Sequence, residues 1–230
     1  MKIDLLVMEG CPHAEPALHR VEEVLGRLAP DVTPEVLTVG DLQEATALAF
    51  PGSPTVQVNG LDLEGADVGP PAVACRRYGT DGVPPTWMIE AGILRALSPE
   101  HVLFLCVQNS ARSQIAEGLG RSLAGSGARV SSAGSEPSQV RPEAIQVMGE
   151  IGIDIRDQRS SGFTDVEGPV DLVVTLCQDE VCPVWLGATW RVHWGLPDPA
   201  GPSAPEERRL SDFRGVRDEL RRRLGVLFGG

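Results

Sequence analysis

No stretch of the 230 residues stays apolar long enough to span a bilayer, which argues against a helical membrane protein. The start, Met1-Lys2-Ile3-Asp4, lacks the apolar core and cleavage site of a secretory leader. A cytoplasmic protein is therefore expected. No histidine–cysteine cluster has zinc-site spacing, and neither an internal repeat nor a low-complexity tract occurs; no metal or cofactor is expected. Positive charge is scarce: the formal net charge is −12, with 6 basic and 14 acidic residues in 1–97 and 14 and 18 in the remainder. Neither half offers a basic face for nucleic acid. Neither nucleic acid nor a membrane is expected as a partner. Five cysteines, an odd number in a chain without a secretory leader, suggest reactive thiols over a disulfide framework.

What is present is organised around His101 to Gly120. His101-Val102-Leu103-Phe104-Leu105-Cys106 reads as a buried parallel strand. A small-residue loop follows, Val107-Gln108-Asn109-Ser110-Ala111, and Arg112-Ser113-Gln114 opens a helix-forming segment. Loop N–H groups and the helix dipole together make an oxyanion receptor, with Val107 to Ser113 as its binding residues. Arg112 supplies a planar fork matched to two oxygens of a tetrahedral anion. Cys106 sits at the centre, where the same field favours its thiolate. The bland reading is a buried structural cysteine with a surface arginine, but burial alone does not require the polar run Asn109 to Ser113.

Ser98-Pro99-Glu100 is a short break between two patterned regions, giving domains 1–97 and 98–230. In the second, Ile115, Leu119 and Leu123 mark one helix face, closed near Gly125. Arg129–Ala133 is a strand, Arg141–Ile151 a helix closed by Gly152, and Val170–Leu176 an apolar strand ending at Cys177. Trp190–Trp194 is a further strand. Glu206–Phe228 is a terminal helix with Leu210, Phe213, Val216, Leu220, Leu224 and Leu227 inward. Arg221, Arg222 and Arg223 read as solvated surface that complements its dipole. Alternating strands and helices give an α/β doubly wound parallel sheet, whose ligands bind beyond the carboxyl ends of the strands. Cys106 and Cys177 would both emerge there.

In the first domain, Lys2–Glu9, Glu35–Val39 and Thr55–Val58 read as strands, with a short fourth over Asp62–Gly65 after the Asn59-Gly60 turn. Helices follow Pro12, run from a cap at Asp41 through Phe50, and cover Pro85–Leu97. This order resembles the thioredoxin fold. Cys11, where a strand meets a helix, matches the nucleophilic cysteine of that family, and Ser53-Pro54-Thr55 matches its cis-proline, a sharp expectation because cis X–Pro bonds are uncommon. The family's second cysteine falls on Ala14, so the pattern is nearer a single-thiol glutaredoxin-like module. An inert thiol is the alternative for Cys11. Cys75 reads either as a small buried filler or as a resolving thiol for Cys11. His13 is either a thiolate-stabilising neighbour or an exposed helix residue, and His19 is surface.

The second domain resembles the thioredoxin-coupled arsenate reductases, which share the low-molecular-weight tyrosine phosphatase fold. The resemblance rests on Cys106 to Gly118, Ser132-Ala133-Gly134, Val173 to Cys177 with Cys182-Pro183, and His193-Trp194-Gly195 with Asp198-Pro199-Ala200. It implies that Cys106 attacks arsenate while Arg112 and the loop amides bind its oxygens, and that Ser113 and Asn109 hold the loop and stabilise the thiolate. It implies Asp198 as general acid. It also implies a relay in which Cys177 attacks Cys106, releasing arsenite, and Cys182 then attacks Cys177. Thioredoxin, or glutathione with a glutaredoxin, would be the reductant. Four residues separate Cys177 from Cys182, fewer than usual, but the chain between them reaches ~18 Å extended against the ~5.5 Å between disulfide Cα atoms. Some members bind potassium beside the loop; an acidic position of that site falls on Ser161, and no bound potassium is expected.

Arsenate and phosphate have nearly the same shape and charge, so the cradle leaves a phosphotyrosine phosphatase open as the runner-up. Cys177 and Cys182 favour the reductase, since a phosphatase needs neither. Asp198-Pro199 is also followed by Ala200-Gly201 where phosphatases of this fold carry aromatics, and the one tyrosine, Tyr78, is distant in sequence. A non-catalytic thiol or metalloid-binding or docking module is a third reading, chiefly for the first domain.

Overall fold

The computed structural model describes residues 1–178, 185–201 and 206–229. Backbone contacts divide the chain into two units, Met1–Ser98 and Pro99–Phe228, each built on a four-stranded sheet.

In the first unit the elements are β1 (Ile3–Val7), α1 (Ala14–Leu28), β2 (Glu35–Thr38), α2 (Leu42–Ala47), β3 (Thr55–Val58), β4 (Leu61–Asp62) and α3 (Thr86–Leu97). The strand order is β2-β1-β3-β4; β2 runs parallel to β1, and β3 antiparallel to it. All of β1 is buried, as the apolar Ile3, Leu5, Leu6 and Val7 require, and Asp4 within it is paired with Lys2. Ala17, Val21, Val24, Leu25 and Leu28 recur at helical spacing and form the buried stripe of α1. Asp41 caps α2 by accepting from the Glu44 amide. That helix stops at Ala47, not Phe50, because Ala49 adopts φ +48 and turns Phe50 into the core. β4 begins at Leu61, immediately after the Asn59-Gly60 hairpin turn, where both residues have positive φ. The Ser53–Pro54 bond is cis, as expected from the sequence.

The second unit holds β5 (His101–Cys106), α4 (Arg112–Ala124), β6 (Arg129–Gly134), α5 (Pro142–Gly149), a 3-10 turn at Phe163–Asp165, β7 (Leu172–Cys177), β8 (Trp190–Leu196) and α6 (Glu206–Phe228). Its sheet is wholly parallel in the order β6-β5-β7-β8. Every residue of β5 is buried, as a central strand covered on both faces must be. Helix α6 packs against α4 and α5. It buries Phe213, Val216, Leu220, Leu224 and Leu227, each stabilising by roughly 1.5–3 kcal/mol relative to exposure. Helix α4 lies close to its neighbours because of two glycines. A Cβ on Gly118 would meet Ile155 and Met148, and one on Gly120 would meet Val130.

Two expectations need correction here. Arg221 to Arg223 lie outside the last turn of α6. Arg221 and Arg222 are exposed, as expected, but Arg222 and Arg223 both engage Glu219 and Arg223 has only 12% of its side chain exposed, so these two brace one turn of the helix more than they complement its end. Helix α5 closes at Gly149 instead of Ile151, with Pro142 in its first turn and Arg141 at the cap position.

Candidate active site

The loop between β5 and α4 is held from outside by its carbonyls. The Val107 carbonyl accepts from the Glu136 amide (2.9 Å), that of Gln108 from the Ser138 amide (3.1 Å), and that of Ser110 from the Arg141 amide (2.9 Å). Ser160 Oγ also donates to Gln108 O, and Gln114 Nε2 to Asn109 O. A peptide plane carries its N–H opposite its C=O. Turning the carbonyls outward therefore turns the amides inward, and those of Gln108, Asn109, Ser110 and Ala111 have no acceptor among the described residues. This is a concave nest of donors at the mouth of a 13-residue helix, an arrangement suited to an anion.

The bend has two requirements. Asn109 takes φ +47, a region where asparagine is among the few tolerated non-glycine residues. Gly134, paired with Cys106 across β5 and β6, must lack a side chain: a Cβ there would collide with the Val107 carbonyl and stand 2.8 Å from the Asn109 nitrogen.

Cys106 closes β5 and is 3% exposed. Its Sγ lies 2.9 Å from Ser113 Oγ. Asn109 Nδ2 donates to Ser113 Oγ (2.9 Å) and to Ser132 Oγ (2.7 Å), and Ser132 Oγ donates to Glu117 Oε2 (2.5 Å). Arg112, also buried, donates from Nη1 to the Leu196 carbonyl (3.0 Å), and its Nη2 stands 4.0 Å from Asp198 Oδ1. The end of β8 thus ties the arginine to the loop that carries the carboxylate. Asp198 is 40% exposed and accepts from the Ala200 amide (3.2 Å), so its carboxylate stands between Arg112 and solvent. Burial pushes the Glu117 carboxyl above its ordinary range, against the opposing effects of Ser132 and Arg121. Its second oxygen is paired with the Arg121 guanidinium.

The structure brings Cys106, Arg112, Asp198 and the loop residues Val107 to Ser113 together. Cys177 is buried at the end of β7. β5 and β7 are hydrogen-bonded neighbours with Leu105 opposite Thr175, so Cys177 lies one residue beyond the level of Cys106, on the same sheet edge. Cys182 lies outside the described residues. Ser161, at the position where a cation site would need an acidic ligand, instead gives its amide to Asn109 Oδ1 (2.7 Å). Among the described residues no group of three or more His, Cys, Asp or Glu side chains gathers to hold a metal.

In the first unit Cys11 is partly exposed and its amide donates to Met8 O. Ser53 Oγ accepts from the Met8 amide, which brings the Ser53–Pro54 turn to the same strand end. Cys75 is exposed, and the reading of it as a buried filler is corrected. It bridges Ser53 in extended backbone, where neighbours alternate sides; Arg76 turns inward to Asp62 and Glu64, so Cys75 faces out. His13 is half-buried with its ring against Gly82, which corrects the picture of an exposed helix residue.

Sequence reasoning missed the outer support of the nest. The donors of Glu136, Ser138, Arg141 and Ser161 are backbone amides, and side-chain identity carries no signal for them. Gly134 was legible only as part of a motif.

Residues 101–229 match the family model described as low molecular weight phosphotyrosine protein phosphatase. The chain is 46% identical over 119 residues to an arsenate reductase of Brevibacillus brevis, covering 50% of this chain and 89% of that protein. It is 43% identical over 126 residues to an arsenate reductase of Bacillus subtilis, covering 54% of this chain and 91% of that one. A solved structure described as an arsenate reductase in the phosphate binding state aligns with a TM-score of 0.50 at 35% identity, over 56% of this chain and 97% of that chain.

Proposed function

The chain belongs to the low molecular weight phosphotyrosine protein phosphatase family, and from that premise we propose that its second unit reduces arsenate to arsenite. One observation carries the reading: a buried thiol inside an oxyanion nest has a second buried cysteine at the end of the adjacent strand. Oxyanion binding and hydrolysis account for the first thiol. Thiol–disulfide exchange gives the second a task that hydrolysis does not.

The Cys106 thiolate attacks arsenic, and one arsenate oxygen leaves as water with a proton from Asp198. The nest amides and the Arg112 fork hold the remaining oxygens. Cys177, as thiolate, attacks the Cys106 sulfur. The S–As bond breaks, its electron pair goes to arsenic, arsenite leaves, and a Cys106–Cys177 disulfide remains. Cys182 attacks Cys177 and frees Cys106. External thiols, two sulfurs per disulfide, then reduce Cys177–Cys182. Thioredoxin, or glutathione with a glutaredoxin, fills that last role.

The first unit is read as a single-thiol thioredoxin-like module, supported by its strand order and the cis Ser53–Pro54 bond beside Cys11. In this reading Cys11 helps to reduce the Cys177–Cys182 disulfide, with Cys75, exposed beside Ser53, as its resolving thiol.

The runner-up is hydrolysis of phosphotyrosine by Cys106, Arg112 and Asp198, favoured by the family description. Two assays on one preparation separate them: arsenate-dependent NADPH oxidation coupled through thioredoxin and its reductase, and aryl phosphate hydrolysis. Reduction dependent on Cys177 is expected. Aryl phosphate turnover without arsenate reduction would overturn the proposal.

A further inference from the structure

Two thiols of the first unit meet at one corner of its sheet, and the backbone fixes both. β1 and β3 are antiparallel with Leu6 opposite Thr55. Two residues further on, Met8 faces Ser53, whose Oγ accepts from the Met8 amide (3.0 Å). On its other side Ser53 bridges Cys75: its amide donates to the Ala74 carbonyl (2.8 Å), and its carbonyl accepts from the Arg76 amide (2.9 Å). Cys75 and Met8 therefore stand two strand spacings apart, roughly 10 Å. Cys11 lies one turn beyond Met8, with its amide on the Met8 carbonyl (3.2 Å), and such a turn keeps its ends within about 7 Å. The Cys75 side is anchored further. Gly52 leaves room for the Ala74 carbonyl, whose oxygen is 2.9 Å from where a Cβ would stand. Arg76, next to Cys75, is bonded to Asp62, Glu64 and Thr55 Oγ1 and lies over the Tyr78 ring.

We infer that Cys11 and Cys75 form a two-sulfur site for trivalent arsenic. Cys11 is partly exposed and Cys75 exposed, and neither sulfur has a hydrogen-bond partner among the described residues. Cysteine sulfur is a soft ligand. Zinc would ask for four ligands, whereas among the described residues no third His, Cys, Asp or Glu gathers with this pair. Arsenite needs fewer. Each thiol displaces one hydroxide from As(OH)3, that hydroxide leaves as water with the thiol's proton, and the third hydroxide stays. Two As–S bonds form, two As–O bonds break, and arsenic remains trivalent throughout. Two sulfurs held by the fold grip a common centre far more tightly than either alone, because the second bond forms within one molecule. The choice of arsenic rests on the proposed function, in which arsenite is the product of the second unit. The same two sulfurs cannot be joined to one another while they hold arsenic, so the arsenic-bound and disulfide forms of the pair exclude each other.

The test needs no arsenate turnover, so its result is independent of whether the second unit reduces arsenate. The full chain is reduced with a phosphine, desalted and titrated with sodium arsenite. Alkylation of each cysteine by iodoacetamide is then read by peptide mass spectrometry. Arsenite should protect Cys11 and Cys75 together, over one concentration range. Cys75→Ser should shift the protection of Cys11 to arsenite concentrations about a hundredfold higher or more, and Cys11→Ser should do the same to Cys75. Native mass spectrometry of the full chain with Cys106→Ser, Cys177→Ser and Cys182→Ser combined should show one arsenic per molecule, added with loss of two waters. Protection of one sulfur without the other overturns the inference, and so does unchanged protection in either single variant. Arsenite bound only among Cys106, Cys177 and Cys182 overturns it as well. Should the triple variant not fold, protection in the wild type and the two single variants decides, since Cys11 and Cys75 both lie outside the core.

Discussion

At the scale of single residues, the proposed nucleophile and its proposed anion clamp stand out in the sequence because their chemistry is written in side chains: a cysteine at the end of an apolar run and an arginine six residues on. Arg112 meets the Leu196 carbonyl with Nη1 and faces Asp198 with Nη2, and in the proposed mechanism its fork also holds the anion. Lysine offers one point charge and cannot serve both. Arg112→Lys is expected to lower kcat/KM for arsenate by about a hundredfold or more, measured under coupled steady-state conditions; a loss below threefold would remove Arg112 from the clamp. Gly134 makes a second prediction. Gly134→Ala forces a Cβ into the Val107 carbonyl, so overpacking of ~1–3 kcal/mol is expected in denaturant melts, together with weaker phosphate protection of Cys106 from alkylation. The supporting amides of Ser138, Arg141 and Ser161 were illegible for the reason that makes them dependable: a backbone N–H is present whatever the residue.

Secondary-structure elements were read well where periodicity was strong and less well at their ends. The stripe of α6 and the run of β5 fall where the sequence put them, since burial on one face or both fixes the pattern. Ends are set by local backbone, as at Ala49, where a left-handed φ stops α2 early. The exposure of Cys75 was missed because the inward turn of Arg76 depends on Asp62 and Glu64 from distant sequence. Between elements, Glu150 after α5 is bonded to Arg214 and Arg217 of α6. The hydrogen bond from Arg214, followed by attraction to both guanidiniums, holds the Glu150 carboxyl down at about 2 from an ordinary 4.5. A carboxyl held low stabilises the fold above its unfolded value and loses that contribution as pH falls toward the folded one. The melting-temperature gap between wild type and Glu150→Gln should therefore narrow as pH drops from 6 through 4.5 toward 2.5. A gap that stayed constant over that range would show the pair to be unimportant to α5–α6 docking.

At the scale of the whole molecule, an oxyanion enzyme that would need an external thiol is joined to a unit carrying two accessible thiols, Cys11 and Cys75. Sequence order and a proline were enough to suggest that unit's fold, but which surfaces the two units present to one another is not encoded in any local pattern. If Cys11 acts on the relay, Cys177→Ser should accumulate a Cys11–Cys182 mixed disulfide under mild oxidation, seen as a linked peptide pair by mass spectrometry. Its absence, with Cys182 otherwise reactive, would assign the first unit another role. The central claim is that two sulfurs, at 106 and 177, act in sequence on one bound oxyanion. Arsenite release over many turnovers, compared between wild type and Cys177→Ser with thioredoxin, its reductase and NADPH in excess, tests it most directly. Continued release by wild type and no arsenite release by Cys177→Ser is the predicted result; equal multiple-turnover rates for the two proteins would contradict it.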